Sequence, residues 1–194
     1  MLSPSSLASV FPDADAFARA FFEEGVRHLS DARVLHQKSR HASSVTSSMK
    51  AAELGVKSVL ILEGAMGVYE KVFNTHKPLT EIEKHPLLKR LNPLLEAHRA
   101  DLSLNVREME SLEPTQFGKG NYDPAAGEAN TEYPFLVKTL DASGNTVARL
   151  QSPQTYFDDA QSLRYYRLAH ELLVALPLLY PDMKKWRVSL PRKM

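Results

Sequence analysis

Residues 17–35 repeat apolar or small side chains every three or four positions. This is the spacing of one face of an α-helix, and the repeat consists of Phe17, Ala18, Phe21, Phe22, Gly25, Leu29, Ala32 and Leu35. Asp13 is suited to cap such a helix, and Asp15 is favourable in its first turn. We therefore predict a long first helix that begins after Asp13 and ends near residues 39–41.

A second helix is predicted over about residues 42–73. Its apolar stripe consists of Val45, Met49, Ala52, Val56, Val59 and Leu60. Gly55, Gly64 and Gly67 interrupt it, although each glycine weakens a helix by about 1 kcal/mol relative to alanine. Small residues let a neighbouring helix approach closely, so the pattern indicates tight packing. We expect the first two helices to form an antiparallel pair.

Glu53 stands among small and apolar residues in the second helix. Burying a carboxylate is costly unless a partner neutralises it, and Lys57 is its neighbour four residues further on. We predict that Glu53 and Lys57 form a structural, buried polar pair, with the acid in the seam between the two helices. A solvated surface ion pair is the alternative.

The middle of the chain is punctuated by prolines and then loses its periodicity. Thr80 and Glu83 match a capping box, and Pro86 and Pro93 divide residues 80–104 into a short helix followed by one or two helical pieces. Residues 105–130 contain three glycines without a hydrophobic period, which predicts a long loop; such loops are usually functional or mobile.

Two β-prone runs, 135–140 and 146–150, flank a turn that contains Gly144, so a hairpin is predicted within residues 131–151. Ser152 and Pro153 then match a cap and a first helical position. They predict a last long helix that runs to about Leu176.

The predicted fold class is mainly α, a four- or five-helix up-down bundle with a small β-hairpin before the last long helix. Residues 1–12 are expected to be a flexible lead-in, 13–180 a single helical domain, and 181–194 a basic tail.

Composition excludes several classes of protein. The 194 residues are 43% hydrophobic and 24% charged, with a net charge of +1, which is ordinary for a soluble globular domain. Without cysteine, disulfides and thiolate metal sites are excluded. We find no signal peptide and no run of about 18 apolar residues. The expected location is therefore cytoplasmic, without a membrane partner.

Two segments, DARVLHQKSRHA at 31–42 and AAELGVK at 51–57, resemble the first two helices of the HEPN superfamily. The hairpin, followed by Ser152, Pro153 and FDDA at 157–160, is similar to the AbiV-type phage abortive-infection branch. The resemblance is strongest over 13–73, weaker over 131–176 and absent over 105–130. It implies a helical interaction module that forms a homodimer or binds a companion protein in a prokaryotic antiviral defence system.

The resemblance also implies an alternative, a metal-independent ribonuclease toxin. Catalytic HEPN proteins have an arginine and, four to six residues later, a histidine. Of the seven histidines, only His170 has an arginine at that distance, Arg164. His170 would move a proton and Arg164 would bind the RNA phosphate, with Arg167 assisting. Six residues along a helix leave Arg164 and His170 about 120° apart, so they could converge only with a helix start between them or with a second subunit contributing. The alternative interpretation is that His170, on an otherwise apolar stripe, is a hydrogen-bonded core histidine.

Other candidate residues carry weaker signals. His36 and His41 flank Arg40, but their spacing along the chain is poor for metal ligands and no carboxylate stands beside them in the sequence. We therefore predict no metal and no cofactor. Lys184, Lys185 and Arg187 are candidate RNA or phosphate contacts; a solvated tail is the alternative.

Overall fold

The structure is a computed structural model, and it describes residues 13–62 and 135–194. Several predictions lie outside the described residues. They are the lead-in at 1–12, the second helix beyond Leu62, the helical pieces at 80–104 and the loop at 105–130.

The first helix, α1, spans Ala14–Gln37. The carboxylate of Asp13 caps it by accepting a hydrogen bond from the Ala16 main-chain N–H at 2.9 Å. Its buried residues are Ala18, Phe22, Gly25, Val26, Leu29 and Ala32. All of them except Val26 belong to the predicted stripe, whose other members, Phe17, Phe21 and Leu35, are partly exposed. Residues 38–40 form the turn that follows. Ser39 adopts a left-handed φ of 55°, and the Arg40 N–H donates to the Leu35 carbonyl at 2.9 Å, as in a helix C-cap.

The second helix, α2, spans His41–Leu62 and runs antiparallel to α1. Near the turn, the Ser44 hydroxyl donates to the Ala32 carbonyl at 2.8 Å. Farther from the turn, Ala51 lies beside Gly25. Fourteen of the 22 residues of α2 are buried, because α2 packs against both α1 and the last long helix. The predicted antiparallel pair is confirmed.

Two glycines allow these close approaches. A Cβ added to Gly25 would lie 3.1 Å from the Ala51 carbonyl oxygen. One added to Gly55 would lie 3.1 Å from Leu176 Cδ1 and would overlap Leu173. Both leucines are fully buried, so neither has free space into which to move. Glycine at these positions therefore sets the distance between the helices.

A hairpin follows, with β1 at Phe135–Leu140 and β2 at Thr146–Gln151. The strands are antiparallel, and Leu136 lies opposite Leu150. The Asp141 carboxylate accepts hydrogen bonds from the main-chain N–H groups of Asn145 at 2.9 Å and Ser143 at 2.8 Å. These bonds, that of Asn145 first, hold the pKa of Asp141 below its ordinary value. Gly144 has a φ of 82°, and the predicted hairpin is confirmed.

The predicted last long helix is divided in two, which corrects the prediction that it begins at Pro153. A short helix, α3, spans Pro153–Tyr156, and the long helix, α4, spans Asp159–Leu179. Asp158 breaks the helical path because it is extended and forms a capping box with Gln161, whose N–H donates to Asp158 at 2.8 Å. Helix α4 continues through Pro177.

A 3₁₀ helix at Pro181–Trp186 follows α4, and residues 187–194 complete the described chain. Met183 and Trp186 are buried. The Trp186 indole N–H donates to the Asp15 carboxylate at 3.2 Å, and its ring centroid lies 5.8 Å from that of Phe22. Residues 181–194 thus belong to the same packed body as α1, instead of extending from it as a tail.

The mainly α fold class is confirmed, with helices packed as a small bundle and a hairpin before the last long helix. Among residues 13–62 and 135–194, no helix combines the length and the hydropathy needed to cross a bilayer.

Candidate functional site

Helix α4 carries the three residues that the resemblance implicates in catalysis, Arg164, Arg167 and His170. The helix is continuous from Asp159 to Leu179. Since each residue turns an α-helix by about 100°, Arg164 and His170 lie about 120° apart around it. No helix start lies between them, so the two side chains of one chain do not converge on a common point. Arg167 and His170 share one face.

Arg167 and His170 both bind main-chain oxygens of the C-terminal segment, which we define as residues 187–194. Arg167 Nε donates to the Met194 oxygen at 3.0 Å. His170 Nε2 donates to the Pro191 carbonyl at 3.0 Å. A carbonyl only accepts, so Nε2 carries the proton and Nδ1 of the neutral ring keeps a lone pair. Nδ1 is buried and has no hydrogen-bond partner in the part of the chain that the structure describes.

Burial lowers the pKa of His170 below its ordinary value. The Pro191 carbonyl and Glu171 raise this pKa, while Lys193 lowers it further, and burial is the largest effect. The imidazole is therefore neutral near pH 7, with its one N–H committed to Pro191. This geometry matches the interpretation of His170 as a hydrogen-bonded structural histidine.

Two further residues of α4 hold the same segment. The Tyr166 hydroxyl donates to the Arg192 carbonyl at 2.8 Å. Lys193 Nζ pairs with Glu171 Oε1 at 2.9 Å, where the Glu171 side chain is only 6% exposed. Four side chains of α4 thus fix the C-terminal segment along the helix.

The candidate phosphate contacts Lys184, Lys185 and Arg187 are all exposed. They lie on the 3₁₀ helix and immediately after it. Lys185 pairs with Asp182 at 2.6 Å, and this hydrogen bond raises the pKa of Lys185. The carboxylate neutralises part of the positive charge that would attract a phosphate, so Lys184 and Arg187 are the more available cations.

Glu53 and Lys57 form the predicted pair, with Lys57 Nζ 2.5 Å from Glu53 Oε1. The two side chains are 11% and 7% exposed, so the pair is not a solvated surface pair. Its position differs from the prediction. Glu53 lies about 200° around α2 from Gly55, and Gly55 is next to Gly25 of α1. The acid therefore lies on the side of α2 away from the α1 seam.

The structure brings a carboxylate from a distant part of the sequence to two histidines that are close together along the chain. His36 lies in the last turn of α1, His41 begins α2 and Asp159 begins α4. One potential ligand atom from each lies within 4.8 Å of the others. His36 Nε2 is 3.5 Å from Asp159 Oδ1, and the two imidazole rings are edge to face with centroids 5.6 Å apart. We call these three residues the His–Asp cluster.

Both histidines of the His–Asp cluster are candidate residues from the sequence, whereas Asp159 is not. Only the packing of α4 across the α1–α2 turn supplies that carboxylate. The same packing brings Ser162 to His36, with Oγ of Ser162 3.0 Å from Nδ1 of His36, although the two residues are 126 positions apart in the sequence. No spacing rule connects residues that far apart. An acidic residue in the first turn of a later helix, as Asp159 is in α4, is a weak signal, because such residues are common there and favour their own helix.

No protein-family model, no curated protein and no solved structure matches the chain. The HEPN and AbiV relationships therefore stay predictions that rest on the residues quoted above.

Proposed function

We propose that the chain is a non-catalytic helical interaction module that assembles as a homodimer in the cytoplasm. We further propose that it acts beside companion proteins in prokaryotic antiviral defence. The observation that carries the molecular part is the use of Arg167 and His170 to hold the C-terminal segment. The biological setting comes from the resemblance of residues 31–42 and 51–57 to HEPN proteins.

The contacts of α4 favour this function over the ribonuclease. A general base must reach the hydroxyl that it deprotonates, directly or through one water. The proton of His170 is committed to Pro191, and the Nδ1 lone pair is buried. The phosphate-binding role assigned to Arg164 requires a position beside His170, which the unbroken helix does not give within one chain.

The hairpin supplies a surface for assembly. Leu140 and Leu150 are each 72% exposed. With Leu136 opposite Leu150 and Leu140 opposite Thr146, all four positions lie on one face of the hairpin. An isolated two-stranded hairpin is marginally stable in water, and exposed apolar residues in a group commonly mark an interaction site.

A second copy of this chain is the occupant that we propose for this face. The β2 positions on it are Thr146, Ala148 and Leu150, none of which is charged. A two-fold dimer brings the same patch of each subunit together, and the uncharged positions of β2 can meet their own copies without like-charge repulsion. The β1 position on this face opposite Ala148 is Lys138, so the contact that we propose is centred on β2.

The oligomeric state tests the homodimer. We expect the purified protein to have the mass of a dimer in size-exclusion chromatography with light scattering. Leu150→Asp should shift it toward monomer, because the new charge would be desolvated at the contact. Arg149→Asp, on the opposite face of β2, is the matched control and should remain dimeric. A monomeric wild-type protein at every concentration would overturn the homodimer.

Incubation with total RNA and a chelator tests the absence of catalysis. We expect no cleavage by the wild-type protein. The contrary result is cleavage by the wild-type protein that is lost in His170→Ala. The control, His28→Ala, changes another half-buried histidine and would retain that cleavage. That result would establish the ribonuclease instead.

A further inference from the structure

We propose that the His–Asp cluster, His36, His41 and Asp159, is a binding site for a divalent first-row transition metal ion, with Zn²⁺ preferred. Two imidazoles and one carboxylate are a donor set typical of zinc and related ions, whereas Mg²⁺ and Ca²⁺ prefer oxygen ligands. The inference is independent of the interaction module proposed above.

The distances fit such an ion. With metal–ligand bonds of about 2.0–2.2 Å, the ligand atoms of a tetrahedral site lie roughly 3.3–3.6 Å apart. The separation of His36 Nε2 and Asp159 Oδ1, 3.5 Å, is in this range. All three ligand atoms already lie within 4.8 Å of one another. Asp159 is 76% exposed, so its side chain is free to make the remaining adjustment.

Ser162 orients His36 for this function. Its fully buried hydroxyl lies 3.0 Å from Nδ1 of His36. When Nδ1–H donates to Ser162, the lone pair of His36 is on Nε2, the nitrogen that is close to Asp159. Metal-binding histidines commonly donate their second ring nitrogen to such a partner, which fixes the tautomer. In this tautomer a lone pair and a carboxylate oxygen are neighbours, and a cation between them stabilises both.

His41 contributes an unsatisfied ring. Its Nδ1 is buried and has no hydrogen-bond partner among the described residues. A buried polar atom without a partner costs free energy, and such groups in a native structure often indicate an ion or a water that satisfies them. The edge-to-face contact holds the His41 ring beside that of His36.

Asp159 supplies the negative charge that the site needs. The C-terminal turn of α1, which contains His36, favours a cation, whereas the N-terminal ends of α2 and α4 oppose one. The carboxylate must offset this opposition, so its removal should weaken binding strongly. Its exposure also gives the ion a path from solvent and leaves room for water as a fourth ligand, as in zinc sites with three protein ligands.

Calorimetric titration with Zn²⁺ of the tag-free protein, first stripped of metal with chelator, tests the site. We expect saturable binding of one ion per chain. Asp159→Asn, His36→Gln and His41→Gln should each weaken binding by about tenfold or more, since each removes a ligand. His28→Gln and Asp182→Asn are the matched controls and should bind as the wild type does. Circular dichroism of the metal-free variants checks that each retains the fold.

Histidine ring ¹⁵N spectra give a second readout. We expect the Nε2 resonance of His36 to shift on adding Zn²⁺, while the resonances of His170 stay in place. Binding without saturation, or binding that Asp159→Asn leaves unchanged in a folded protein, would overturn the site. A hydrogen-bonded His36–Asp159 pair without metal would then account for the geometry.

Discussion

His170 shows how burial and one hydrogen bond determine the chemistry of a single histidine. Its N–H is committed to the Pro191 carbonyl and its other nitrogen is buried. Protonation would place a positive charge in this half-buried position beside Lys193, although Glu171 partly offsets it. The same ring in water would titrate near pH 6.5. Residue identity alone therefore says little about whether a histidine can transfer protons.

His170 should make the protein less stable as the pH falls. The pKa of His170 is lowered in the folded state, so the unfolded chain takes up its proton first as the pH falls. The contribution of the neutral His170 to the free energy of unfolding is then fully present above about pH 6.5, and it decreases as the pH falls below that value. Urea unfolding at several pH values measures the slope. His170→Gln should show a shallower decrease than the wild type.

His28, whose pKa burial also lowers, remains in both proteins and contributes the same slope to each. The difference between them therefore isolates His170. Equal slopes for the wild type and His170→Gln would contradict the assignment.

At the scale of elements, capping decides where α4 begins. Ser152 followed by Pro153 is a strong start signal, and a helix does begin there, but it ends at Tyr156. The capping box of Asp158 and Gln161 then starts α4. Ser152 makes no side-chain capping bond, so the two caps differ in strength within seven residues of chain.

Asp158→Ala should lower the free energy of unfolding by about 1 kcal/mol, because it removes the acceptor for the Gln161 N–H. Ser152→Ala is the control and should change it by a few tenths of a kcal/mol at most, as expected for a cap without its bond. Denaturant unfolding of both variants makes the comparison. Equal losses in the two would show that the capping box does not stabilise α4.

The elements also show what a sequence can and cannot predict. Most of the predicted α1 stripe is confirmed, because buried positions such as Phe22 and Leu29 recur with the helical period. The hairpin was correct because Gly144 provides the turn. The docking of residues 187–194 was not predictable, because α4 binds the main-chain oxygens of Pro191, Arg192 and Met194. Every residue has such an oxygen, so no side-chain pattern indicates the contact.

The same limit applies to the candidate sites. Four-residue spacing was enough to predict that Glu53 and Lys57 pair, since both residues belong to one helix, but spacing alone did not decide between a buried pair and a surface pair. It was not enough to predict which side of α2 carries them or that Asp159 joins His36. Those facts depend on how helices pack, which spacing within one helix does not specify.

For the whole molecule, residues 181–194 connect its two described parts. Trp186 contacts Asp15 and Phe22 of α1, and the C-terminal segment lies along α4. Lys193 holds this segment to Glu171, a carboxylate that is almost entirely buried. The ionic contact therefore contributes to the packing of the chain as a whole rather than to one helix.

Lys193→Ala should destabilise the protein by about 1 kcal/mol, since it leaves the buried carboxylate of Glu171 without its ionic partner. The half-exposed position of Lys193 keeps the loss at the low end of the range for buried pairs. Arg192→Ala is the matched control, because the exposed Arg192 binds Tyr166 through its carbonyl, which the substitution retains. Thermal unfolding should separate the two variants, and identical midpoints would contradict the role of Lys193.

The contact of Trp186 with Asp15 joins residues that are 171 positions apart. During translation, α1 emerges from the ribosome long before this tryptophan is made, and synthesis proceeds at about 5–20 residues per second. Phe22 of α1 must therefore remain without its final aromatic neighbour for several seconds in each nascent chain. We expect that interval to be the period in which the growing polypeptide depends most on chaperones.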